Sequence, residues 1–235
     1  MSKILIIPDV HGRTFWHKAK EIIDEVEKVV FLGDYLDPYR DEDITPDDAL
    51  IEFCKILEFK EQHMNKVVLL IGNHDMHYIE LRFEDASRMD KLRREEIHQL
   101  FMDDLDKFQL VYLHEDKYLF SHAGVYQTWL ERNGLHGEDL LDTEKMLKYH
   151  WIALDAHTWY RGGMDLVGSC VWADLRESLN MDLLPNVIQI VGHTQLIRPY
   201  INSKIRCLDV RECFILNTET DEITKLSERI SEENE

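Results

Sequence analysis

Short aliphatic runs alternate with amphipathic stretches over most of the chain. Five runs are rich in Ile, Leu and Val and too short for helices, so they predict buried strands at residues 4–7, 29–32, 67–71, 118–120 and 187–191. Apolar positions recur at helical spacing between them, which predicts helices at residues 15–28, 46–64, 91–107, 125–132 and 138–150. Short strands return at residues 205–210, 213–217 and 223–226. This order of elements predicts an α/β protein with more than one sheet.

The predicted helix at residues 46–64 has a recognisable start signal. Thr45 can cap its N-terminus, Pro46 suits the first helical position, and Asp48 can reach back to the cap. The chain contains no internal repeat, no low-complexity segment and no linker rich in Gly, Ser or Pro. We therefore expect one domain over residues 1–235, in which the mostly charged or polar residues 227–235 form a frayed tail.

The composition is that of a protein with a substantial core and a strongly acidic surface. Hydrophobic residues make up 44% of the chain, and 27 basic against 46 acidic side chains give a formal net charge of −19. Such a surface repels polyanions and argues against non-specific nucleic-acid binding, although a metal centre could still attract a small phosphate. No apolar run approaches the roughly 20 residues of a membrane span. Because there is also no secretion signal and no metal-ligand spacing among the four cysteines, we expect a cytoplasmic protein with reduced cysteines and no membrane partner.

A short polar segment directly follows each of the five predicted strands. The segments are DVHGR at residues 9–13, GDYLD at 33–37, GNHD at 72–75, SHAG at 121–124 and GHTQ at 192–195. The carboxyl ends of strands in an open α/β sheet border one crevice, so these segments can converge there. Five of the ten glycines lie in them, where tight turns and close backbone approach need a residue without a side chain.

The residue types in these segments suit a metal centre. Asp, Asn and His supply oxygen and nitrogen ligands without a thiolate, a set that fits Mn, Fe or Zn. Asp34 can bridge two cations about 3.5–4 Å apart, the spacing of two-metal hydrolytic sites. One such segment alone is usually an ordinary turn, but five in order are hard to explain in that way. Asp155-Ala156-His157 also reads Asp-x-His, yet it lies in a Trp-, Leu- and Ala-rich helical stretch, and we exclude it as a ligand pair.

The order of these motifs resembles that of the calcineurin-like metallophosphoesterase superfamily. Asp-x-His, Gly-Asp-x-x-Asp, Gly-Asn-His-Asp, a later His and Gly-His follow one another between residues 9 and 195. The resemblance implies an α/β fold with a two-sheet sandwich flanked by helices, in α/β/β/α layers, and a dinuclear metal centre at the strand ends. Within the superfamily, DVHG and GDYLD are most similar to the phosphoprotein phosphatase branch and its bacterial relatives, which include diadenosine tetraphosphatases.

The resemblance also implies roles for individual residues. Six side chains correspond to metal ligands of the family, and one of them is shared by two ions. The first ion would be held by Asp9, His11 and Asp34. The second would be held by Asp34, Asn73, His122 and His193. His74, supported by Asp37, is similar to the proton-donating pair of the family.

Two positions depart from the family pattern. Many phosphodiesterases and nucleases of the superfamily carry Gly-His-x-His, and Gln195 stands where the second His would be, as a candidate contact to metal or substrate. Phosphoprotein phosphatases place a phosphate-binding Arg directly after Gly-Asp-x-x-Asp, and Pro38 stands there instead. The substitute guanidinium must come from elsewhere, and the substrate-binding candidates are Arg13, Arg40 and, favoured for its Gly and aromatic neighbours, Arg161.

Residues and resemblance together predict a hydrolase. We expect a dinuclear metal-dependent phosphatase, with two divalent ions and manganese favoured over iron or zinc. In it a hydroxide between the ions would attack a phosphate monoester of a protein, nucleotide or small molecule, and His74 would protonate the leaving oxygen.

Two alternatives stay open at this stage. A phosphodiesterase or nuclease of the same fold is the first, and the net charge of −19 and Gln195 weigh against it. A metal-binding scaffold that has lost catalysis is the second, and the retention of Asp37 and His74 weighs against it, since neither is needed to hold metal. A nucleotide site of the P-loop type is excluded, because the chain lacks that motif.

Overall fold

Two β-sheets form the centre of the protein, within residues 2–82 and 87–227 that the computed structural model describes. Their strands are β1 (Lys3–Ile7), β2 (Lys28–Phe31), β3 (Val67–Leu70), β4 (Phe108–Gln109), β5 (Val111–His114), β6 (Tyr118–Ser121), β7 (Ile188–Val191), β8 (Tyr200–Ile201), β9 (Ile205–Cys207), β10 (Phe214–Asn217) and β11 (Glu222–Lys225). The first sheet has the order β11-β10-β1-β2-β3-β4, and the second has the order β5-β6-β7-β9-β8. Strands β1 to β4 run parallel, as do β6, β7 and β9.

The helices, like the strands, begin and end at residues that the local sequence explains only in part. They are α1 (Lys18–Ile22), α2 (Pro46–Gln62), α3 (Asn73–Ile79), α4 (Arg94–Asp103), α5 (Gln127–Arg132), α6 (Thr143–Tyr149) and α7 (Trp151–Leu154). The predicted start of α2 is confirmed: the Thr45 hydroxyl accepts a hydrogen bond from the Asp48 backbone, and the Asp48 carboxylate accepts one from the Thr45 backbone. None of the described helices is long and apolar enough to cross a membrane.

The core explains why the strands read as continuous apolar runs. Ile4 and Ile6 of β1 point into the space between the sheets, where they join Tyr118 and Phe120 of β6 in one cluster. Neighbouring positions such as Leu5 point the other way, into a cluster shared with the helices. A strand buried on both faces shows no alternation of polar and apolar residues. The predicted two-sheet α/β architecture flanked by helices is therefore confirmed.

The structure shortens several predicted elements. The prediction of one helix at residues 15–28 is wrong, because 3-10 turns at Phe15–His17 and Ile23–Glu25 flank the short α1, and Lys28 already begins β2. Backbone pairing ends the helical region there, since the amide of Glu27 donates to the carbonyl of Lys3. The predicted helix at residues 138–150 divides at Asp142, whose carboxylate caps α6 by accepting from the Lys145 backbone. Residues 228–235 of the predicted tail lie outside the described residues.

All four cysteines are free thiols, as predicted. Cys170, Cys207 and Cys213 are buried and Cys54 is partly buried. The thiols of the three buried residues have their pKa raised to about 12 by burial, which makes them poor nucleophiles and metal ligands.

Candidate active site

The five polar segments of the sequence meet at the carboxyl ends of their strands. They follow β1, β2 and β3 in the first sheet and β6 and β7 in the second. Side chains that lie far apart in the sequence become direct neighbours there. The structure brings together all eight residues predicted as metal ligands or proton-donating pair: Asp9, His11, Asp34, Asp37, Asn73, His74, His122 and His193.

Four of these residues have a left-handed backbone. Their φ angles are 46° for His11, 54° for Asp34, 60° for Asp37 and 61° for His193. Asp and His tolerate this region better than most residues, but each still adds a local conformational cost. Such a cost persists only where the surrounding structure enforces it, and it is typical of functional sites.

Asp34 lies at the centre of the site. Its Oδ2 is 3.4 Å from His11 Nε2 and 3.5 Å from His122 Nε2. Its Oδ1 accepts a hydrogen bond of 2.9 Å from the backbone amide of His74. The carboxylate therefore faces histidines from two different strands and is fixed from the side of α3.

Asp75 holds the backbone around Asp34 in place. Its buried carboxylate accepts hydrogen bonds from the amides of Asp34 at 2.8 Å, Tyr35 at 3.1 Å and Gly72 at 2.8 Å. These bonds tie the turn after β2 to the turn after β3. The sequence contained Asp75 inside a motif, but only the structure shows what it does.

His122 presents a lone pair to other electron-rich atoms. Its Nδ1 is 2.7 Å from the carbonyl of Leu32, which can only accept, so Nδ1 carries the proton. Burial lowers the pKa of His122, so the ring is neutral and Nε2 is unprotonated. Yet Nε2 lies 3.0 Å from Asn73 Oδ1 and 3.1 Å from His193 Nδ1. A cation between these atoms would turn a cluster of acceptors into a coordination site.

His11 repeats the same arrangement on the other side of Asp34. Its Nδ1 donates to the carbonyl of Leu36 at 2.7 Å, which leaves Nε2 as a lone pair aimed at the Asp34 carboxylate. Burial lowers the pKa of His11 to about 3, so protonation does not relieve the contact at neutral pH. A backbone carbonyl that fixes the ring of a ligating histidine is a common feature of metal sites.

Two groups of side chains could therefore hold cations, and they share Asp34. Asp9, His11 and Asp34 form one group, and Asp34, His122 and His193 form the other, with ligand atoms within 4.8 Å of one another in each. Burial, reinforced by the charge of Asp34, raises the pKa of Asp9 to about 8. The residues present thus fit a pair of divalent ions, which would remove the repulsion between the two carboxylates.

The side chains of Asp37 and His74 form a hydrogen-bonded pair beside these groups. Asp37 Oδ2 is 2.7 Å from His74 Nδ1, and Asp37 Oδ1 accepts a 2.5 Å hydrogen bond from the hydroxyl of Tyr78. His77 lies near enough to complete a third cluster with Asp37 and His74. Arg88, whose Nη2 is 2.9 Å from His74 Nε2, disfavours a cation at that cluster.

The four predicted substrate-binding residues differ in their surroundings. Arg161 lies beside the site, since its Nη2 donates to Thr194 Oγ1 at 2.8 Å and to the carbonyl of His193 at 3.3 Å. Arg13 is close to Asp9 but forms a two-pronged ion pair with Glu42 at 2.9 and 3.0 Å. Arg40 and Gln195 are exposed, and neither hydrogen-bonds to the site within the described residues.

Sequence reasoning missed two further residues at the site, Tyr78 and Arg88. Tyr78 could have been found, because it lies four residues after His74 and a helix places both on one face. Arg88 has no comparable signal, since no motif surrounds it. Asp155 and His157, excluded as a ligand pair, follow α7 and do not lie in a helix as the sequence predicted. The ring of His157 hydrogen-bonds to the carbonyl of Asp155 and packs on Trp172, whose ring lies 6.0 Å from that of His193.

Glycines make room for the carboxylates. A Cβ atom on Gly192 would lie 2.1 Å from Asp9 Oδ1, and one on Gly72 would lie 2.2 Å from Asp34 Oδ1. Real Cβ atoms do not approach oxygen so closely, so any side chain at either position must displace the carboxylate.

We expect Gly192→Ala to weaken Mn²⁺ binding by roughly tenfold or more, because misplacing a ligand costs at least as much as disturbing its supporting shell. Calorimetric titration with Mn²⁺ measures the change. Gly137→Ala is the matched control, since its Cβ would meet only Leu184 at 3.5 Å, an ordinary contact. Equal Mn²⁺ affinity in the Gly192 variant and the wild type would contradict the role of Asp9.

A match to a known protein family agrees with this picture. A profile of the calcineurin-like phosphoesterase family matches residues 2–195. A serine/threonine phosphatase from Saccharomyces cerevisiae with similarity to human phosphatase PP5 superposes with a TM-score of 0.56 and 12% identity, over 95% of this chain and 79% of that chain. Yfce, a phosphoesterase from E. coli, gives a TM-score of 0.40 and 13% identity, over 95% of this chain and 98% of that chain. No curated protein sequence gives a match.

The family match defines the class, a metal-dependent phosphoesterase, and the grouped carboxylates and histidines are consistent with it. The family match covers every segment of the site, from Asp9 to Gln195. The chain belongs to the calcineurin-like phosphoesterase family, whose members use divalent metal ions.

Proposed function

We propose that the protein is a phosphatase that hydrolyses phosphate monoesters with the help of two divalent metal ions, with Mn²⁺ as the favoured metal. The observation that supports it best is the Asp37–His74 pair, which lies beside two candidate ligand groups that share Asp34. Ligand groups alone would suit a metal-binding scaffold. An imidazole oriented by a carboxylate next to them suits catalysis.

The donor atoms would divide between the two ions along the two candidate groups, with Asn73 added to the second. Asp9, His11 and Asp34 would hold the first ion. Asp34, Asn73, His122 and His193 would hold the second. When bound, the ions would polarise the phosphoryl oxygens and lower the pKa of water toward about 7, so that a nucleophile exists at neutral pH.

His74 would supply the proton for the leaving oxygen. Asp37 accepts from His74 Nδ1, which directs the opposite nitrogen, Nε2, away from Asp37. Tyr78 donates to the second oxygen of Asp37, so that the carboxylate cannot rotate freely. Asp37 would also stabilise the protonated form of His74. The carboxylate and the phenol thus act on substrate only through His74.

Monoesters are favoured over diesters by two features of the chain. The net charge of −19 disfavours long polyanionic substrates such as nucleic acids. Gln195, at the position of the second His of Gly-His-x-His, is exposed and does not hydrogen-bond to the site within the described residues. Arg161, beside His193, would contribute positive charge toward a small phosphate group.

We expect the Mn²⁺-loaded protein to hydrolyse p-nitrophenyl phosphate with a kcat/KM at least about 10-fold above that for bis(p-nitrophenyl) phosphate, because a diester carries one negative charge fewer for the ions to stabilise. Parallel assays at equal metal concentration measure the ratio, and Asp106→Asn, a change of an exposed carboxylate, serves as the control. A ratio below one would favour the phosphodiesterase alternative. No turnover of either ester would favour the scaffold.

A further inference from the structure

Arg88 occupies an unusual position beside the candidate active site. It lies between α3 and α4 with a left-handed φ of 63°, and its side chain is half-buried. Its Nη2 is 2.9 Å from His74 Nε2. Its Nη1 is buried and has no hydrogen-bond partner within the described residues. One terminal nitrogen of the guanidinium thus contacts the proposed proton donor, and the other is a donor without an acceptor among the residues that the structure describes.

Neighbouring arginines each pair with a carboxylate, whereas Arg88 pairs with none among the described residues. Arg13 and Arg211 both pair with Glu42 at 2.9 Å, and Arg161 pairs with Asp174 at 2.9 Å. No carboxylate pairs with Arg88 in the part of the chain that the structure describes. A guanidinium stays charged throughout the physiological pH range, and a half-buried charge without a counter-ion is costly unless a ligand supplies one.

Tyr39 holds the Arg88 guanidinium in place. The central carbon of the guanidinium lies 3.8 Å from the centre of the Tyr39 ring, a close cation–π contact. The same ring packs edge-on against His11 at 5.1 Å, and the rings of His11 and His74 are 5.2 Å apart. Arg88 therefore lies beside the site, in contact with the proposed proton donor and with a ring that packs on one predicted metal ligand. Tyr39 follows Pro38, the position where the expected phosphate-binding Arg is missing.

While it contacts Arg88, His74 cannot donate a proton through Nε2. Arg can only donate, so Nε2 of His74 must accept from Nη2, and Nδ1 carries the ring proton toward Asp37. Nε2 is the nitrogen that would have to deliver a proton to the leaving oxygen. It cannot do so while it accepts from Arg88.

We propose that Arg88 is the phosphate-binding arginine of this protein and that it moves from His74 Nε2 to the phosphoryl oxygens when substrate binds. This rests on the proposed phosphatase function and extends it. The two terminal nitrogens of the guanidinium, Nη1 and Nη2, then donate to two phosphate oxygens. Nε2 of His74, no longer in contact with Arg88, is then free to contact the leaving oxygen of the substrate.

The test uses the Mn²⁺-loaded full chain and the variants Arg88→Gln and Arg88→Lys. We expect Arg88→Gln to weaken the binding of inorganic phosphate by at least about tenfold, because hydrogen bonds between two charged groups are the stronger ones and the variant cannot form them. Arg88→Lys keeps the positive charge but cannot bind two phosphate oxygens at once. Its affinity for phosphate should therefore lie between those of the wild type and Arg88→Gln. Arg132→Gln removes the same charge from the exposed end of α5 and should bind phosphate like the wild type. Titration calorimetry measures phosphate and Mn²⁺ affinity, and the melting temperature reports folding.

The outcomes separate this proposal from the proposed function. Unchanged phosphate affinity in Arg88→Gln overturns the role of Arg88, even if the enzyme turns over esters normally. Loss of phosphate binding in Arg88→Gln, with Mn²⁺ affinity retained, supports it even if no ester is hydrolysed, and in that case the phosphatase function fails alone. A wild-type protein that binds no phosphate overturns it as well. If Arg88→Gln does not fold, the phosphate affinity of Arg88→Lys decides the question. An affinity below that of the wild type supports the proposal, and an affinity equal to that of the wild type contradicts it.

Discussion

Replacing His74 with Asn is expected to lower kcat for an alkyl phosphate by about 10²–10⁴-fold, the usual contribution of a general acid. The Mn²⁺ content of the protein should not change. The side chain of residue 74 belongs to neither ligand group that shares Asp34. Its backbone amide, which donates to Asp34 Oδ1 at 2.9 Å, is still present in the variant. Steady-state kinetics and metal analysis of the same preparation measure both quantities.

The leaving group distinguishes proton donation from a structural effect. p-Nitrophenolate leaves without help from an acid, so Asn at position 74 should reduce the hydrolysis of p-nitrophenyl phosphate much less than that of an alkyl phosphate. A variant with a distorted site would lose both activities alike. His136→Asn, a change of an exposed histidine, is the matched control. Equal losses on both esters would remove His74 from the proposed role.

The sequence was sufficient for the framework of the site because the framework is local. Each of the five motifs follows a run that forms a strand, and parallel strands bring their carboxyl ends to one edge of the fold. That reasoning placed Asp9, Asp34, Asn73, His122 and His193 in one crevice, where the structure also has them. Gly192 and Gly72 lie in the same motifs, where they allow the backbone to approach the carboxylates.

Features set by long-range contacts could not be predicted in the same way. Arg88 reaches His74 from a segment that carries no motif, and only the tertiary fold puts it over Tyr39. Residue type alone makes Arg13 and Arg161 equivalent candidates. In the structure Arg13 pairs with Glu42 and Arg161 pairs with Asp174, and the sequence predicts neither ion pair. Short strands such as β4 and β8 have two residues each and form only through their neighbours, so no periodicity could reveal them.

Helix α3 shows how tertiary structure changes the meaning of a motif. The sequence pattern predicts only a polar segment after a strand at residues 72–75 and no helix, yet Asn73 begins a seven-residue helix that is buried along its whole length. Its first turn supplies Asn73 and His74 to the site, and Tyr78, one turn later, reaches back to Asp37. A helix placed directly at the strand end therefore makes the pair of Asp37 and His74 more rigid than a loop would.

Removal of the metal ions is expected to lower the melting temperature by roughly 10 °C. Ligand present at about 1,000 times its Kd stabilises a folded protein by about 4 kcal/mol, and a chain of this size gains about 2–4 °C per kcal/mol. Part of this difference reflects the buried carboxyls of Asp9 and Asp34, because burial and the charge of Asp34 raise the pKa of Asp9 to about 8 without an ion. Thermal unfolding with excess Mn²⁺ and with chelator measures the difference.

Asp34→Asn separates the loss of metal from a general loss of stability. The amide nitrogen can replace Oδ2 and donate to Nε2 of His11 or His122, whose lone pairs lie 3.4 and 3.5 Å from Oδ2 in the wild type, so the metal-free variant should melt no lower than the metal-free wild type. Mn²⁺ should then raise its melting temperature by only a small fraction of the wild-type shift, and turnover should fall below detection because the shared ligand is gone. Asp106→Asn, at an exposed position, should keep the full shift. A full Mn²⁺ shift in Asp34→Asn would mean that the two ions do not share this carboxylate, and the dinuclear arrangement would have to be abandoned.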